Sequence, residues 1–146
     1  MSTIRRKERG WPGHYCMARA CMFRRNTLVY DDRDLTRGIV VSTVGNMRDE
    51  YDKPDTIGLE RYYETMAFVA DMDYPYRDAD VAGEVSLDCE WSICADSPES
   101  MAKFVDNDAD DMHENAVDWV IKNFDSAHES GAARLRERYS LHGEEV

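Results

Sequence analysis

The pattern of hydrophobic and polar positions changes once along the chain, after Ser97-Pro98. Over residues 11–95, short runs of aromatic and β-branched residues are separated by clusters of turn-forming residues, which is typical of an antiparallel sheet. Residues 21–30 and 38–44 flank the turn-like stretch Asp31-Asp32-Arg33-Asp34. They predict a hairpin whose loop is longer than two residues.

The middle of the chain predicts one loop and further strands. Residues 45–58 are rich in Asp, Asn, Pro and Gly and have few apolar side chains, so we expect a mobile surface loop there. Residues 61–72 alternate with a period of two, which favours a strand over a helix. Residues 80–93 predict one or two more strands, the last of which contains Trp91.

Beyond Ser97-Pro98 the hydrophobic period becomes helical. Asp106 or Asn107 is a suitable N-cap, and the acids that follow suit the positive end of a helix dipole. Ser130-Gly131 predicts a break, after which residues 132–139 predict a second, shorter helix. The apolar side chains of the first helix recur at spacings of three and four along one stripe, which consists of Met112, Ala116, Val117, Val120 and Phe124.

Together these elements predict a single domain of the α+β class. An antiparallel β-sheet of about five or six strands occupies roughly residues 11–95. Two C-terminal α-helices, over roughly residues 106–140, follow the sheet and pack on it. A length of 146 residues suits one domain of ordinary size.

The net charge of −12 is unevenly distributed. The first 25 residues hold seven Lys and Arg against one acid, a net charge of +6, and the rest of the chain carries −18. Affinity for DNA or RNA comes mainly from Lys and Arg, so we expect no binding to long nucleic acids. No apolar run approaches the roughly 20 residues of a membrane-spanning helix, and the basic start lacks the apolar stretch of a secretory signal. We therefore expect an unexported protein that does not associate with membranes.

Motifs of common enzymes and metal sites are missing from the sequence. It has no glycine-rich nucleotide loop, no His-Glu-x-x-His and no Gly-x-Ser-x-Gly, so we expect no catalytic activity. Four cysteines form two equally spaced pairs, Cys16 with Cys21 and Cys89 with Cys94. This spacing is at the edge of what zinc sites use, but both pairs fall in predicted strands, where a step of five residues sends side chains to opposite faces. We expect reduced thiols, no metal site and no cofactor.

Side chains suited to ligand binding occur in the second half of the chain. Arg134 and Arg138 are one helical turn apart, so both guanidinium groups can hold oxygens of a phosphate or pyrophosphate. The alternative is a solvated face of Arg and Glu. Trp91 and Phe104 flank the passage from sheet to helix, where an aromatic ring either stacks on a base or closes the core. Asn115 is either a contact to the polar edge of a ligand or a surface residue.

Two arginines fall on opposite faces of one predicted strand. Side chains alternate along residues 21–30, which places Arg24 and Arg25 on different faces. One of these charges must approach a buried layer, which is costly if the charge is unpaired. An oligomer interface, or an anion pocket with Arg19 nearby, explains this arrangement. A salt bridge to one of the many acids explains it equally well.

Several short segments of the chain carry a family resemblance. They are Gly10-Trp11-Pro12-Gly13-His14-Tyr15, Phe23-Arg24-Arg25-Asn26-Thr27-Leu28, Ile39-Val40-Val41-Ser42-Thr43-Val44-Gly45, Tyr62-Tyr63-Glu64-Thr65-Met66-Ala67-Phe68 and Met112-His113-Glu114. Over roughly residues 10–120, the chain resembles the first family of Thoeris anti-defence proteins, which are small phage proteins.

The resemblance implies a specific function. Proteins of that family are sponges: in the cytoplasm of the infected bacterial host they bind the cyclic ADP-ribose isomers that a defence system makes as a messenger, and they do not cleave them. They have an antiparallel sheet followed by two helices, assemble from dimers into hexamers, and can bind cyclic di- or trinucleotides at separate pockets. Their ligand pocket lies at the dimer interface, where an aromatic ring and an arginine sandwich adenine and helix arginines lie near the phosphates. Arg134 and Arg138 suit this last role, and Trp91 and Phe104 are both candidates for the ring.

Two other functions stay open from the sequence. The net charge and the acidic stretch over residues 106–111 suit an acidic interaction protein, for instance a nucleic-acid mimic that inhibits a host defence nuclease. An enzyme that degrades the messenger is the second alternative. The net charge does not exclude a sponge, because charges more than about 8 Å away are largely screened while arginines inside a pocket act at contact distance.

Overall fold

The computed structural model describes residues 2–10, 14, 20–73 and 79–141, apart from the side chains of Val81 and of residues 139–141. Seven strands and three helices occupy this part of the chain. The strands are β1 (Ile4–Glu8), β2 (Cys21–Asp31), β3 (Asp34–Arg48), β4 (Pro54–Asp55), β5 (Arg61–Ala70), β6 (Ala79–Val85) and β7 (Ser92–Cys94). The helices are α1 (Pro98–Met101), α2 (Asp106–Lys122) and α3 (Phe124–Leu141).

The strands form one antiparallel sheet with the order β1-β2-β3-β5-β6. Two short strands join outside this order: β4 pairs with the end of β3, and β7 pairs with the start of β5. Because β6 pairs only with the second half of β5, β5 changes partner midway along its length. The protein therefore has the predicted α+β fold, an antiparallel sheet followed by C-terminal helices.

Helices α2 and α3 cover one face of the sheet and enclose the main core. Burial of this apolar surface, at about 25 cal/mol per Å², is the largest stabilising contribution to such a fold. The opposite face is buried as well, at Leu28, Val40 and Val44, and the ring of His14 lies against it, 6.1 Å from that of Phe68. The buried residues of the main core are Val29, Ile39, Val41, Ala67, Val69, Val85, Ala116, Val117, Val120, Phe124 and Ala127.

The strand predictions over residues 21–30, 38–44 and 61–72 are confirmed. The prediction that the last strand contains Trp91 was wrong, because β7 begins at Ser92, and two further corrections concern the connections. The hairpin of β2 and β3 turns through Asp32 and Arg33 alone, since Asp31 pairs with Asp34; the expected longer loop was wrong. The loop predicted over residues 45–58 was also wrong at its start and at residues 54–55, whereas residues 49–53 and 56–58 lie outside strands. Strand β3 continues to Arg48, and β4 pairs with its last residues. Pairing with β2 and β4 satisfies the backbone N–H and C=O groups of this segment, although its polar side chains predict a loop. The predicted turn at Tyr74-Pro75-Tyr76 lies outside the described residues.

The two predicted helices are present, but their boundaries differ. Neither Asp106 nor Asn107 is the N-cap of α2: the cap is Val105, whose backbone N–H donates to Asp108 Oδ2 at 3.1 Å. The break at Ser130-Gly131 was wrong, because α3 begins at Phe124 and continues through it. The one-turn helix α1 was not predicted.

Gly131 explains why the second helix contains a glycine in its interior. A Cβ at this position would lie 2.5 Å from Val69 Cγ2 and 2.7 Å from the carbonyl oxygen of Gly83. Glycine costs a helix about 1 kcal/mol relative to alanine, but only glycine lets the backbone of α3 come this close to β6. Close packing of α3 on β6 positions the arginines that follow on the helix.

Candidate ligand-binding site

A cavity of about 450 Å³ lies where β5 changes partner. Strand β5 pairs with β7 as far as Glu64 and with β6 from Ala67 onward, which leaves Thr65 at the fork between the two partners. The backbone N–H of Thr65 donates to the carbonyl oxygen of Trp91 at 2.7 Å. This bond holds the segment before β7 against β5, so strand pairing on both sides fixes the walls of the cavity.

An aromatic ring and a guanidinium group form one wall of this cavity. Trp91 is 40% exposed, and Arg61 Cζ lies 5.3 Å from the centroid of its ring, in a cation–π contact. Arg61 Nε also lies 3.3 Å from Glu64 Oε1. The other oxygen of that carboxylate, Oε2, is 3.1 Å from His14 Nε2. The carboxylate of Glu64 therefore positions Arg61 against the ring of Trp91, and His14 positions Glu64.

Glu64 is a largely buried carboxylate that stays ionised. Burial alone would raise its pKa, but the hydrogen bond with His14 and the electrostatic interactions with His14 and Arg61 outweigh it, so the pKa lies below its usual value. His14 Nδ1 is 2.9 Å from Ser42 Oγ. The series Ser42, His14 and Glu64 has the connectivity of a serine hydrolase triad, but Ser42 is only 1% exposed. No substrate carbonyl reaches its hydroxyl, and the series ties His14 to the sheet.

Helix α3 brings Arg134 to the rim of the same cavity. Its Nη2 donates to Ser86 Oγ at 2.8 Å, and its Nη1 lies 3.3 Å from Glu84 Oε2. Both Glu84 and Ser86 line the cavity. Arg138 is exposed one turn farther along α3. Of the residues predicted from the sequence, Trp91 thus lines the cavity and Arg134 contacts two of its lining residues, and Arg138 follows Arg134 on its helix.

The other predicted residues do not line this cavity. Phe104 is half-buried in an aromatic cluster below α2, and Asn115 is exposed on α2. Arg24 and Arg25 fall on opposite faces of β2, as predicted. Arg19 lies outside the described residues.

Acids on two other elements neutralise Arg25. Its Nη2 lies 2.8 Å from Glu8 Oε2 and 2.9 Å from Glu114 Oε2, and Arg6 donates to both oxygens of Glu114. The hydrogen bond from Arg6, followed by that from Arg25, lowers the pKa of Glu114 to about 2 against the effect of burial. For Arg25 the structure therefore favours the salt bridge over an anion pocket, and these pairs connect β1 and β2 to α2.

Several acids of the stretch over residues 106–111 have partners within the protein. Asp106 Oδ1 accepts a hydrogen bond from the hydroxyl of Tyr63 at 2.7 Å, and Asp108 accepts one from the backbone at the start of α2. Asp110 Oδ1 lies 3.4 Å from Arg25. These contacts help to hold α2 on the sheet, while Asp106, Asp108 and Asp111 remain exposed.

His113 of α2 is fully buried and hydrogen-bonded at both ring nitrogens. Its Nδ1 lies 2.7 Å from Thr43 Oγ1, and its Nε2 lies 2.7 Å from Thr27 Oγ1. The hydroxyl of Thr27 donates to Glu8 at 2.8 Å, so its oxygen must accept from Nε2–H. Nδ1 then accepts from Thr43, whose oxygen can accept from Thr65. His113 is therefore a neutral, structural residue in the Nε2–H tautomer, and burial lowers its pKa to about 4.

The free energy of unfolding is expected to decrease as the pH falls from about 6.5 to about 4 because of His113. In the folded protein its pKa is about 4, whereas the unfolded chain takes up this proton near the usual 6.5. The unfolded state binds more protons between these values, so acid favours unfolding, by about 3 kcal/mol in total. Urea unfolding between about pH 7 and 5 measures the slope. A His113→Gln variant should have a smaller slope, and an equal slope would contradict this assignment.

Of the residues that line the cavity, only Trp91 was predicted from the sequence, and the polar groups that were missed include Arg61, Glu64, Glu84 and Ser86. Arg61 and Glu64 carry a weak signal, because they are charged residues within an otherwise apolar predicted strand. Glu84 and Ser86 carry none that separates them from other polar residues of this acidic chain.

Further observations concern thiols, metals and membranes. Cys21, Cys89 and Cys94 are free thiols, and burial raises the pKa of Cys21 to about 11; Cys16 lies outside the described residues. Within the described ranges, no group of three or more His, Cys, Asp or Glu could hold a metal ion. In that same part of the chain, no helix has the length and apolar character needed to cross a membrane.

Comparisons with protein-family profiles, with curated proteins and with solved structures find no match to this chain.

Proposed function

We propose that the protein is a phage anti-defence sponge, which binds a cyclic ADP-ribose isomer and sequesters it without cleavage in the cytoplasm of the infected bacterium. The observation that carries this proposal is the cavity at the fork of β5, where the exposed ring of Trp91 lies against the guanidinium group of Arg61 and where Arg134 donates to Ser86, another lining residue. A cyclic ADP-ribose isomer offers a flat base and a pyrophosphate. An aromatic face suits the first, and fixed guanidinium groups suit the second.

Trp91 is the better of the two aromatic candidates for stacking on the base. Its ring is exposed and lines the cavity, whereas the ring of Phe104 packs 6.3 Å from that of Tyr62 in the core. The cavity volume of about 450 Å³ lies within the range of small-molecule sites. Base and phosphate contacts therefore fit within one cavity.

The overall charge of −12 does not oppose this proposal. Several of the acids that produce it lie on α2 and are engaged in the fold, as Glu114 and Asp106 are. Charges elsewhere on the surface are screened over about 8 Å at physiological salt. Arg134 and Arg138 act at contact distance, so they dominate the field that a bound phosphate experiences.

Sequestration without cleavage is supported by the state of the ionisable groups. Glu64 is ionised and held by His14 and Arg61, so it has no proton to donate. His113 uses both ring nitrogens inside the core. Arginine keeps its proton in proteins, so Arg61 and Arg134 provide binding without acid or base catalysis.

The proposal includes a homo-oligomer, a dimer or a hexamer, that shares the ligand between copies of the chain. Large apolar side chains on the surface support association, among them Met22 at 68% and Leu59 at 82% exposure. Leu59 also adopts a left-handed conformation with φ of 50°, which is uncommon for leucine. A rigid shared site favours slow release of the ligand, which is what a sponge requires.

Incubation with the messenger followed by heat denaturation tests the proposed function. A cyclic ADP-ribose isomer is mixed with excess protein, free ligand is removed by filtration, and the retained fraction is heated and analysed by mass spectrometry. We expect the protein to retain the messenger and to release it intact. Binding should also raise the melting temperature, by an amount that corresponds to about 2.7 kcal/mol at 100 times the Kd.

The two alternative functions give different results in this experiment. Loss of the messenger would identify an enzyme that degrades it. A protein that retains no nucleotide, shows no change in melting temperature and co-elutes with a basic host nuclease would be an acidic inhibitor. Either result would contradict the sponge.

A further inference from the structure

Arg61, which lines the cavity, and Arg134, at its rim, are each paired with a glutamate of the lining. Arg61 lies 3.3 Å from Glu64 on β5, and Arg134 lies 3.3 Å from Glu84 on β6. The two cations and two anions cancel, so the empty cavity has no net charge from these four groups. An anionic ligand therefore has to displace the carboxylate of Glu64 or Glu84 before it can pair fully with the guanidinium group of Arg61 or Arg134.

The two ion pairs differ in how easily they can separate. The side chain of Glu64 is 11% exposed and is held by both His14 and Arg61. That of Glu84 is 43% exposed, and in the described part of the chain its ion pair is with Arg134 alone. Both arginine–glutamate contacts are 3.3 Å long, so the difference between the two pairs lies in exposure and in the number of partners. Glu64 is thus a fixed part of the cavity wall, whereas Glu84 is free to rotate into solvent.

Ser86 keeps Arg134 in place when this ion pair opens. The hydrogen bond from Nη2 to Ser86 Oγ, at 2.8 Å, uses a different nitrogen from the one that faces Glu84. An exposed ion pair contributes little to stability, so its loss costs little. Arg134 can therefore exchange one carboxylate for one phosphate without moving its guanidinium group away from the cavity.

We propose that Glu84 is a displaceable internal anion, which occupies Arg134 in the empty cavity and gives way to a phosphate of the ligand. Glu84 then determines specificity: a phosphate-bearing ligand can replace the carboxylate, and a neutral nucleoside such as adenosine gains nothing from Arg134. The nature of the ligand rests on the proposed function. Exchange at Arg134 by itself requires only an anion with phosphate oxygens.

Inorganic pyrophosphate is the probe that tests this exchange. Calorimetric titration compares the wild-type protein with Glu84→Gln, which keeps the size of the side chain and removes its charge. We expect pyrophosphate to bind Glu84→Gln about five- to tenfold more tightly, because competition and repulsion by the carboxylate are both removed. The affinity for adenosine should be the same in both proteins.

Two further variants separate the local effect from a general change in charge. Glu129→Gln makes the same charge change at an exposed ion pair with Arg136 on α3, and it should leave the affinity for pyrophosphate within about twofold of wild type. The double variant Glu84→Gln with Arg134→Ala should lose the gain in affinity. Melting temperatures of all variants confirm that they are folded.

The outcomes distinguish this inference from the proposed function. Equal or weaker binding of pyrophosphate to Glu84→Gln, an equal gain in Glu129→Gln, or no saturable binding up to about 10 mM would overturn the exchange at Glu84. The sponge would still stand if the wild-type protein retained a cyclic ADP-ribose isomer. A gain in Glu84→Gln alone supports the exchange even if that messenger does not bind.

Discussion

Replacement of His113 with alanine is expected to lower the free energy of unfolding by about 4 kcal/mol. The imidazole is fully buried between α2 and the sheet, so its removal leaves a cavity. Thr27 and Thr43 each also lose one hydrogen bond, in a place that water does not replace readily. Urea unfolding followed by circular dichroism at neutral pH measures this change by linear extrapolation.

His128 provides the matched control for this prediction. It lies on α3, its ring is 5.9 Å from that of Phe124, and within the described structure its Nε2 has no hydrogen-bond partner. His128→Ala should therefore cost less than about 1.5 kcal/mol. Equal losses in the two variants would contradict a structural role specific to the His113 network.

The double variant Arg134→Ala with Arg138→Ala is expected to reduce the affinity for a cyclic ADP-ribose isomer at least about 100-fold. A hydrogen bond to a charged group contributes about 1.5–3 kcal/mol, and two such contacts to the pyrophosphate are removed. Both side chains are exposed on α3, so the fold should be retained. Calorimetry gives the affinity, and circular dichroism checks the helical content.

Arg136→Ala is the control for these helix arginines. Arg136 is on the same helix but is 65% exposed and pairs with Glu129 at 2.6 Å, away from the residues that line the cavity. Its replacement should change the affinity by no more than about twofold. If the double variant bound as tightly as this control, the phosphate contacts would lie elsewhere in the protein.

The α+β fold could be predicted because its strands and its longer helices show the hydrophobic periodicity that is typical of each element. The errors lie where contacts between distant segments override local preference. Gly131 predicts a break by propensity, yet α3 continues there because Val69 and Gly83 approach too closely for any side chain. The helix α1 was missed although Ser97-Pro98 carries a local signal, a serine cap followed by proline in the first helical position.

The candidate site was only partly predictable. The sequence indicates Trp91 as a candidate stacking ring and Arg134 as a helix arginine. Trp91 lines the cavity, and Arg134 donates to Ser86 at its rim. The cavity itself arises because β5 changes partner at Thr65, which depends on strand register between distant segments. The positions of Arg61 and Glu84 therefore depend on the pairing of β5 with β7 and β6, which cannot be predicted from composition or residue spacing.

The charge pattern has a similar explanation. The basic first 25 residues and the acidic remainder predict attraction between them, but not which pairs form. In the structure Arg6 and Arg25 converge on Glu114, which attaches β1 and β2 to α2. The arginine-rich start of the chain thus stabilises the fold, and the arginines near the cavity come from β5 and α3.

Calorimetric titration of the wild-type protein with a panel of cyclic nucleotides, led by cyclic ADP-ribose isomers, tests the central claim most directly. The sponge predicts saturable binding of at least one member with a Kd below about 1 μM, and the same ligand should be recovered unchanged afterwards. No saturable heat with any member up to about 1 mM would contradict binding. A continuing heat signal with loss of the ligand would contradict sequestration.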